Sequence, residues 1–344
     1  MSTWAVVLAG GVGSRFWPLS TPTRPKQLLP LVGDRAMLAE ALDRLQPLVP
    51  RERVLVLTSA ALAPTIAALH PELPKDAVLA EPRAGGTAAA LAWAAREIER
   101  RAGADAVMIS VHADWAVGDP AGFRTMLARA AEAAAQHRSL VTVGVVPSRP
   151  DPGFGYIQPG DEIAPGVRRV ARFVEKPSRE RAKEMASAGF LWNSGIFVWR
   201  VGDFLDEVRA HTPEVASALA THADDMAGFF AAVTPVSVDV GVLERSSRVL
   251  VLPGDFGWDD VGTWAALRRV RARDASGNAI AGAVHALDAK DNVVHAEGNT
   301  VVLYGVSNLV VVTRDGLTLV TTVERSADLK TLLDTLPAEL RDRA

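Results

Sequence analysis

Residues 4–26 read WAVVLAGGVGSRFWPLSTPTRPK. From Trp4 to Ala9 the residues are apolar without interruption, the pattern of a strand covered on both faces in a parallel sheet. Gly10, Gly11 and Gly13 follow at once. Lacking Cβ atoms, they allow a sharp turn and bring backbone N–H groups close to an anion. Arg15 stands just past the turn, and Arg24-Pro25-Lys26 closes the segment. A strand, a glycine turn and nearby cations are the parts that polyphosphate chemistry needs.

Two better-known glycine loops do not fit. In the dinucleotide pattern G-x-G-x-x-G, counted from Gly11, the third glycine falls at Phe16, whose ring blocks close helix–strand approach. An NAD-dependent oxidoreductase is thereby disfavoured. A P-loop needs a glycine followed by lysine, and the chain has none. On the glycines alone, an ordinary tight turn with solvated cations competes on equal terms. Lysine usage tips the balance: of 37 Lys and Arg only Lys26, Lys75, Lys176, Lys183, Lys290 and Lys330 are lysines. Against an arginine background, a lysine marks a place suited to a compact ammonium on a flexible stem. Lys26 and Lys176 both lie in motif-like segments.

A chain of 344 residues exceeds the size at which single cores stop growing, so two domains are expected. Net charge is −3 and the isoelectric point about 6.2, giving no footprint for nucleic acid. There is no cysteine, which excludes disulfides, thiolate–zinc sites and cysteine nucleophiles, and a cytoplasmic setting is expected. The seven histidines form no zinc-hydrolase pair. The apolar N-terminal run is too short, and lacks the preceding basic segment, for a signal peptide; no run is long enough to span a membrane. The excess of alanine and arginine reads as genome composition.

Apolar runs at 54–58, 107–111 and 140–145 alternate with helical patterns at 37–46, 88–101 and 123–136. This is the order of an α/β domain with a mainly parallel sheet, whose ligands bind beyond the carboxyl ends of the strands. The glycine turn and His112-Ala113-Asp114 both fall on that rim. From about Ser276 the texture changes to short β-rich runs at 283–287, 292–295, 300–304, 309–313 and 317–321, separated by Asn, Asp and Gly turns. A small β-helix and a meander fit this spacing equally well. A last helix is expected at 327–336. The expected boundary divides residues 1–272, carrying the catalytic chemistry, from a β-rich subdomain at 273–344.

Asp114 and Asp260 are candidate Mg²⁺ ligands, since magnesium is commonly held by one or two carboxylates plus phosphate oxygens. Asp260 lies in GWDDVGTW before an expected helix, where capping competes, and Asp259 and Asp260 together allow one to cap while the other coordinates. Phe173-Val174-Glu175-Lys176-Pro177 ends an apolar run with a carboxylate for sugar hydroxyls and an ammonium for a phosphate; an exposed ion pair is the plainer alternative. In Trp192-Asn193-Ser194-Gly195 a polar turn is expected before an aromatic strand, and Asn193 has both donor and acceptor for a hydroxylated substrate. Glu81-Pro82-Arg83-Ala84-Gly85-Gly86-Thr87 precedes a helix with Thr87 as its N-cap, and its glycines admit a flat ligand.

Taken together, LAGGVGSRFWPLS with RPKQLLP, EPRAGGTAAA, HAD, GVVPSRPDPGFGYIQPG, FVEKP, WNSGIFVW, SVDVGVLE and GWDDVGTW resemble the mannose-1-phosphate guanylyltransferases, in the family's order and from Leu8 to Trp264. The resemblance implies a Rossmann-like nucleotidyltransferase domain followed by a small β-helical subdomain. It implies GTP and mannose 1-phosphate as substrates, Mg²⁺ as cofactor, and GDP-mannose and pyrophosphate as products. By motif, Gly10, Gly11, Gly13, Arg15 and Lys26 hold the triphosphate. Leu8, Ala9, Glu81, Pro82, Gly86 and Thr87 meet guanine. Gly155, Glu175 and Asn193 bind the sugar, and Lys176 its phosphate. Arg15, Lys26 and Lys176 are the catalytic cations, and Asp114 and Asp260 the metal ligands. A homodimer is a further expectation.

The chain departs from the family pattern at His112 and Trp115 beside Asp114, and at Gly86 and Ala89, where the family usually has Asn and Pro. The rival readings are a thymidylyl- or uridylyltransferase acting on glucose 1-phosphate, and a non-catalytic sugar-nucleotide-binding regulatory protein.

Overall fold

The computed structural model describes residues 2–341. The opening run forms β1 (Thr3–Leu8), buried at every residue after the first. β2 (Val54–Ser59), β3 (Val78–Glu81) and β4 (Val107–His112) join it in parallel, in the order β3-β2-β1-β4. Beyond the two-residue β5 (Ala116–Val117) come β6 (Leu140–Val145), β7 (Tyr156–Ala164), β8 (Val167–Val174), β9 (Leu191–Arg200) and β10 (Val249–Gly254), then the short β11 (Trp258–Asp259). The full sheet is β3-β2-β1-β4-β9-β6-β10-β8-β7. β9 runs antiparallel to both β4 and β6, β6 and β10 are parallel, and β8 and β7 form an antiparallel edge. The expected α/β class with a mainly parallel sheet is borne out, with β9 as a reversed strand inside it.

The helix Gly86–Ala102 shows why alanine is abundant. Ala88, Ala89, Ala90, Ala92, Ala94 and Ala95 are buried in one cluster with Trp4, Val6 and Leu8 of β1. Small side chains let a helix lie close on a sheet, so composition here serves packing.

Compactness divides the described chain into two units that interleave in sequence. One comprises residues 2–10, Leu42–His112 and Asp119–Trp258, and holds the large sheet; the other comprises Gly11–Ala41, Ala113–Gly118 and 259–341. The core of the second unit joins Phe16, Trp17, Leu19 and Leu29 from the glycine-turn segment to Val261, Trp264, Val293, Val310 and Val312. Phe16 is 1% exposed, with its ring centroid 5.2 Å from that of Trp264. Its bulk therefore anchors the segment to this core, and a buried aromatic of that kind contributes about 1.5–3 kcal/mol.

The β-rich end resolves into coils. β12 (Ala279–Ala281), β14 (Val293–Ala296) and β16 (Leu309–Arg314) pair in parallel on one face, and β13 (Val284–Leu287) and β15 (Val301–Tyr304) on another. β17 (Leu317–Thr322) closes the stack antiparallel to β16. Parallel pairing of strands one coil apart makes a β-helix; a meander would pair neighbours antiparallel. Buried asparagines bond the coils at one corner: Asn278 Oδ1 accepts from Asn292 N and Nδ2, both at 2.9 Å, and Asn292 Oδ1 accepts from Leu309 N. The terminal helix is shorter than the expected 327–336: a 3₁₀ turn, Arg325–Asp328, leads into Leu329–Leu333, whose two end leucines are buried. Among the described residues no helix is long and apolar enough to cross a membrane.

Candidate active site

The phosphate-loop residues have different local roles. An added Cβ at Gly10 or Gly11 meets nothing within 4 Å, and Gly11 sits at φ +85°, so both leave backbone open at the surface. Gly13 is different. At φ +71° it caps the 3₁₀ turn Ser14–Phe16, and a Cβ there would stand 2.4 Å from Lys26 Cβ. The glycine is needed for the lysine stem to pass. Lys26 N donates to Val12 O at 3.0 Å, and Ser20 Oγ also donates to Val12 O, which ties the two ends of the loop together. Arg15 is exposed and makes no ion pair among the described residues.

Lys26 itself is only 5% exposed. A buried ammonium is costly unless it is fully bonded. Its Nζ donates to Asp114 Oδ2 at 2.9 Å and to the main-chain carbonyl of Asp260 at 2.9 Å, and lies 5.7 Å from the centre of the Phe16 ring. One lysine thus joins the two expected metal-binding residues. Asp114 keeps about a third of its side chain exposed, and neighbouring Trp115 is buried. Of the adjacent aspartates, Asp259 takes the turn role: it accepts from Val261 N at 2.9 Å and pairs with Arg269 Nε at 2.6 Å. Asp260 does not cap a helix. The following turn, Trp264–Ala266, starts from Thr263 without a side-chain cap.

In the base segment, Glu81 ends β3 and Pro82 is exposed. Burial pushes the Glu81 carboxyl up to about 7, against a hydrogen bond from the Gly85 backbone that favours ionisation. No lysine or arginine pairs with it among the described residues. The helix begins at Gly86 with Gly85 at its N-cap, not at Thr87 as expected; Thr87 Oγ1 instead accepts from Val238 N at 2.9 Å. Gly86 has φ +80°, and a Cβ would stand 2.3 Å from Val236 O. A side chain on this backbone would meet the Val236 main chain. Leu8 and Ala9 are buried; Ala9 N donates to Leu57 O, and its carbonyl accepts from Thr58 Oγ1.

The sugar segment is one connected cluster. Gly155 O accepts from Asn193 N at 2.8 Å, and a Cβ on Gly155 would meet Glu175 Oε2 at 2.6 Å. Lys176, at φ +44°, turns back so that Nζ donates to Glu175 Oε1 at 2.8 Å, with most of its side chain exposed. The Glu175–Lys176 pair is thus as the plainer reading expects, at a partly shielded carboxylate. Asn193 is not in a turn: it lies within β9, with the β6–β9 register shifting nearby and Gly195 at φ +75°. Its Oδ1 accepts from Thr142 Oγ1 and Gly195 N, and its Nδ2 donates to Asp239 Oδ1 at 2.7 Å. The amide is locked, with its carbonyl occupied inside the fold.

Asp239 and Glu244 were not singled out from sequence, although both lie in SVDVGVLE. Asp239 opens the π-helical turn Asp239–Leu243, a rare form found often at functional sites. Desolvation first, and the nearby Glu175 charge second, push its carboxyl up to about 6. Glu244 Oε1 accepts from Glu175 N at 3.1 Å. A carboxylate at each end of an otherwise apolar run was the available signal.

Aspartate oxygens are hard donors suited to Mg²⁺. Among the described residues no group of three or more His, Cys, Asp or Glu could hold a metal ion.

The model of the family "Nucleotidyl transferase" matches residues 4–277. A mannose-1-phosphate guanylyltransferase of Escherichia coli is 35% identical over 98% of this chain and 74% of its own length. The xanthan biosynthesis protein XanB of Xanthomonas campestris is also 35% identical, with the same coverage. A solved structure from Thermus thermophilus, described as a mannose-1-phosphate geranyltransferase, superposes with TM-score 0.90 at 35% identity, covering 97% of this chain and 99% of that one. The chain belongs to the nucleotidyl transferase family, with the mannose-1-phosphate guanylyltransferases among its relatives.

Proposed function

We propose that this nucleotidyltransferase moves GMP from GTP to mannose 1-phosphate, giving GDP-mannose and pyrophosphate. The observation that carries the reading is the buried Lys26 ammonium, held by the Asp114 carboxylate and the Asp260 carbonyl. It is a fixed cation bonded to one carboxylate and one main-chain carbonyl. Gly10, Gly11, Gly13, Arg15 and Lys26 hold the triphosphate, and Gly155, Glu175, Asn193 and Lys176 hold the sugar phosphate. Asp114 and Asp260 are the residues that would hold Mg²⁺, which when bound supplies positive charge to the phosphate oxygens.

A phosphate oxygen of mannose 1-phosphate attacks the α-phosphorus of GTP, forming a new P–O bond. The bond to the bridging oxygen breaks, and pyrophosphate leaves with the electron pair. The attacking oxygen is already anionic, so no general base is required. What the residues must do is align two anions and stabilise the charge that gathers on the leaving group. Lys176 orients the attacker, while Arg15 and Lys26 draw charge toward pyrophosphate.

Guanine is favoured by Glu81. The base offers two neighbouring donors, N1–H and N2–H, and a desolvated carboxylate without a cation partner is an acceptor matched to them. Leu8, Ala9, Pro82, Gly86 and Thr87 complete the base contacts. Residues 1–272 are assigned this chemistry, and the β-helical coils lie within 279–322. The same reading includes a cytoplasmic homodimer, to be checked by light scattering.

Pyrophosphate release is to be measured with Mg²⁺, four nucleoside triphosphates, and mannose 1-phosphate or glucose 1-phosphate. GTP with mannose 1-phosphate should give the highest kcat/KM. Faster turnover of dTTP or UTP with glucose 1-phosphate would reassign the substrates. Binding of GDP-mannose with no turnover would make the chain a regulatory binder.

A further inference from the structure

The segment 259–262 is built under strain. Val261 has φ +48°, a left-handed conformation that a β-branched residue rarely adopts and that places its Cβ against its own backbone. Nothing in the side chain favours that geometry, so the surroundings must impose it. Three contacts do so. The Val261 side chain is wholly buried in the core with Phe16 and Trp264. Its N–H donates to Asp259 Oδ1 at 2.9 Å. On the other side, the carbonyl of Asp260 is held by Lys26 Nζ at 2.9 Å. The peptide group joining Asp260 to Val261 is therefore held at both its N–H and its C=O.

Asp259 is held in turn. Arg269 Nε donates to Asp259 Oδ2 at 2.6 Å and Arg269 Nη2 to Oδ1 at 3.1 Å, in a two-pronged pair with a buried carboxylate. Gly262 leaves the room Asp260 needs, since a Cβ there would stand 2.6 Å from Asp260 Oδ2.

We infer that Asp259 is a positioning residue for the metal-binding carboxylate: through the Val261 N–H it holds the left-handed turn that aims Asp260. The inference rests on the proposed role of Asp260 in binding Mg²⁺. Asp259 does not itself touch the ion. Its effect is on how well Asp260 is placed before the ion arrives, and partners that orient metal-binding carboxylates typically change affinity by about 10- to 100-fold when removed. Asparagine keeps an oxygen acceptor for the Val261 N–H, and glycine at 261 reaches φ +48° without help. Both substitutions separate the turn from the charge.

The test is a Mn²⁺ titration of the full chain with GTP, followed by electron paramagnetic resonance. Circular dichroism and melting show that each variant is folded. Asp259→Ala should weaken Mn²⁺ binding by about tenfold or more. Asp259→Asn should stay within about threefold of the parent, and Val261→Gly in the Asp259→Ala background should recover most of the loss. Asp260→Asn is the reference. If Asp260→Asn loses Mn²⁺ binding while folded Asp259→Ala keeps it, the positioning role is overturned and the metal role of Asp260 stands. If Asp259→Asn binds as weakly as Asp259→Ala, the turn is not the cause and the inference fails. If Asp260→Asn binds Mn²⁺ like the parent, both the metal reading and the inference fall.

Discussion

The cluster around Lys26 and the cluster around Asn193 use carboxylates in opposite ways. Around Lys26, charges have opposite partners in place: the ammonium on Asp114, the Arg269 guanidinium on Asp259. Around Asn193, Glu175 is paired with the exposed Lys176 while Asp239 has no ion pair among the described residues, and Glu81, separately, has no cation partner among them. Asp239 is pushed up to about 6 by desolvation first and the Glu175 charge second, and Glu81 is desolvated and pushed up to about 7. Lys176, whose charge acts against the shift at Asp239, is mostly exposed. The first arrangement is rigid and satisfied before any ligand comes. The second leaves acceptors that hydroxyl and amide donors of a ligand can satisfy. Charge chemistry and recognition are thus assigned to differently prepared groups.

The contrast breaks most visibly at Lys26. Lys26→Met removes the bonded cation while keeping much of the stem volume, and kcat should fall by about 1,000-fold, the upper range for deleting one preorganised charge-stabilising group. A loss below about tenfold would mean that Lys26 is structural.

Arg15→Ala tests the same side of the comparison without disturbing packing, because Arg15 is exposed. A fall of about 100-fold in kcat is expected, with little change in GTP affinity.

The smallest expected effect lies on the recognition side. Glu81→Gln should reduce the kcat/KM preference for GTP over ATP by about tenfold, as the amide presents a donor where guanine needs an acceptor. It also carries a pH signature. The folded carboxyl titrates near 7 against an ordinary 4.5, so the folded state binds the extra proton between those values and stability declines as pH rises from about 4.5 to about 7. Above that window the parent carries the full cost of a desolvated charge; below it, none. Glu81→Gln should therefore melt about 2 °C higher than the parent at about pH 8 and equally at about pH 4. A stabilisation that is the same at both values would remove Glu81 ionisation from the account.

Much of this was legible in the sequence because it is local. The run from Trp4 to Ala9 pointed to β1, the turn from Gly10 to Gly13 to the loop, and the Asn, Asp and Gly punctuation after Ser276 to the β-rich end. Contacts distant in sequence were not legible. Gly13 makes room for Lys26, and Gly86 avoids the backbone of Val236; in each case the reason for the glycine is a partner further along the chain. The same holds for Asn193, whose WNSG signal reads as a turn yet lies in a strand, because pairing with β6 and a bond to Asp239 override the local preference. The choice between β-helix and meander also depended on pairing, which spacing does not encode. Asp239 escaped notice, and Asp259 stood out only as a possible cap, because their partners come together only once the chain has folded.

The division between charge stabilisation and recognition is tested most directly by measuring GTP affinity calorimetrically and kcat kinetically on the same preparation of Arg15→Ala. The account predicts a Kd within about threefold of the parent and a kcat lower by about 100-fold. A weakened Kd with kcat unchanged would show that Arg15 serves binding alone, and would contradict the assignment of charge stabilisation to the glycine-turn segment.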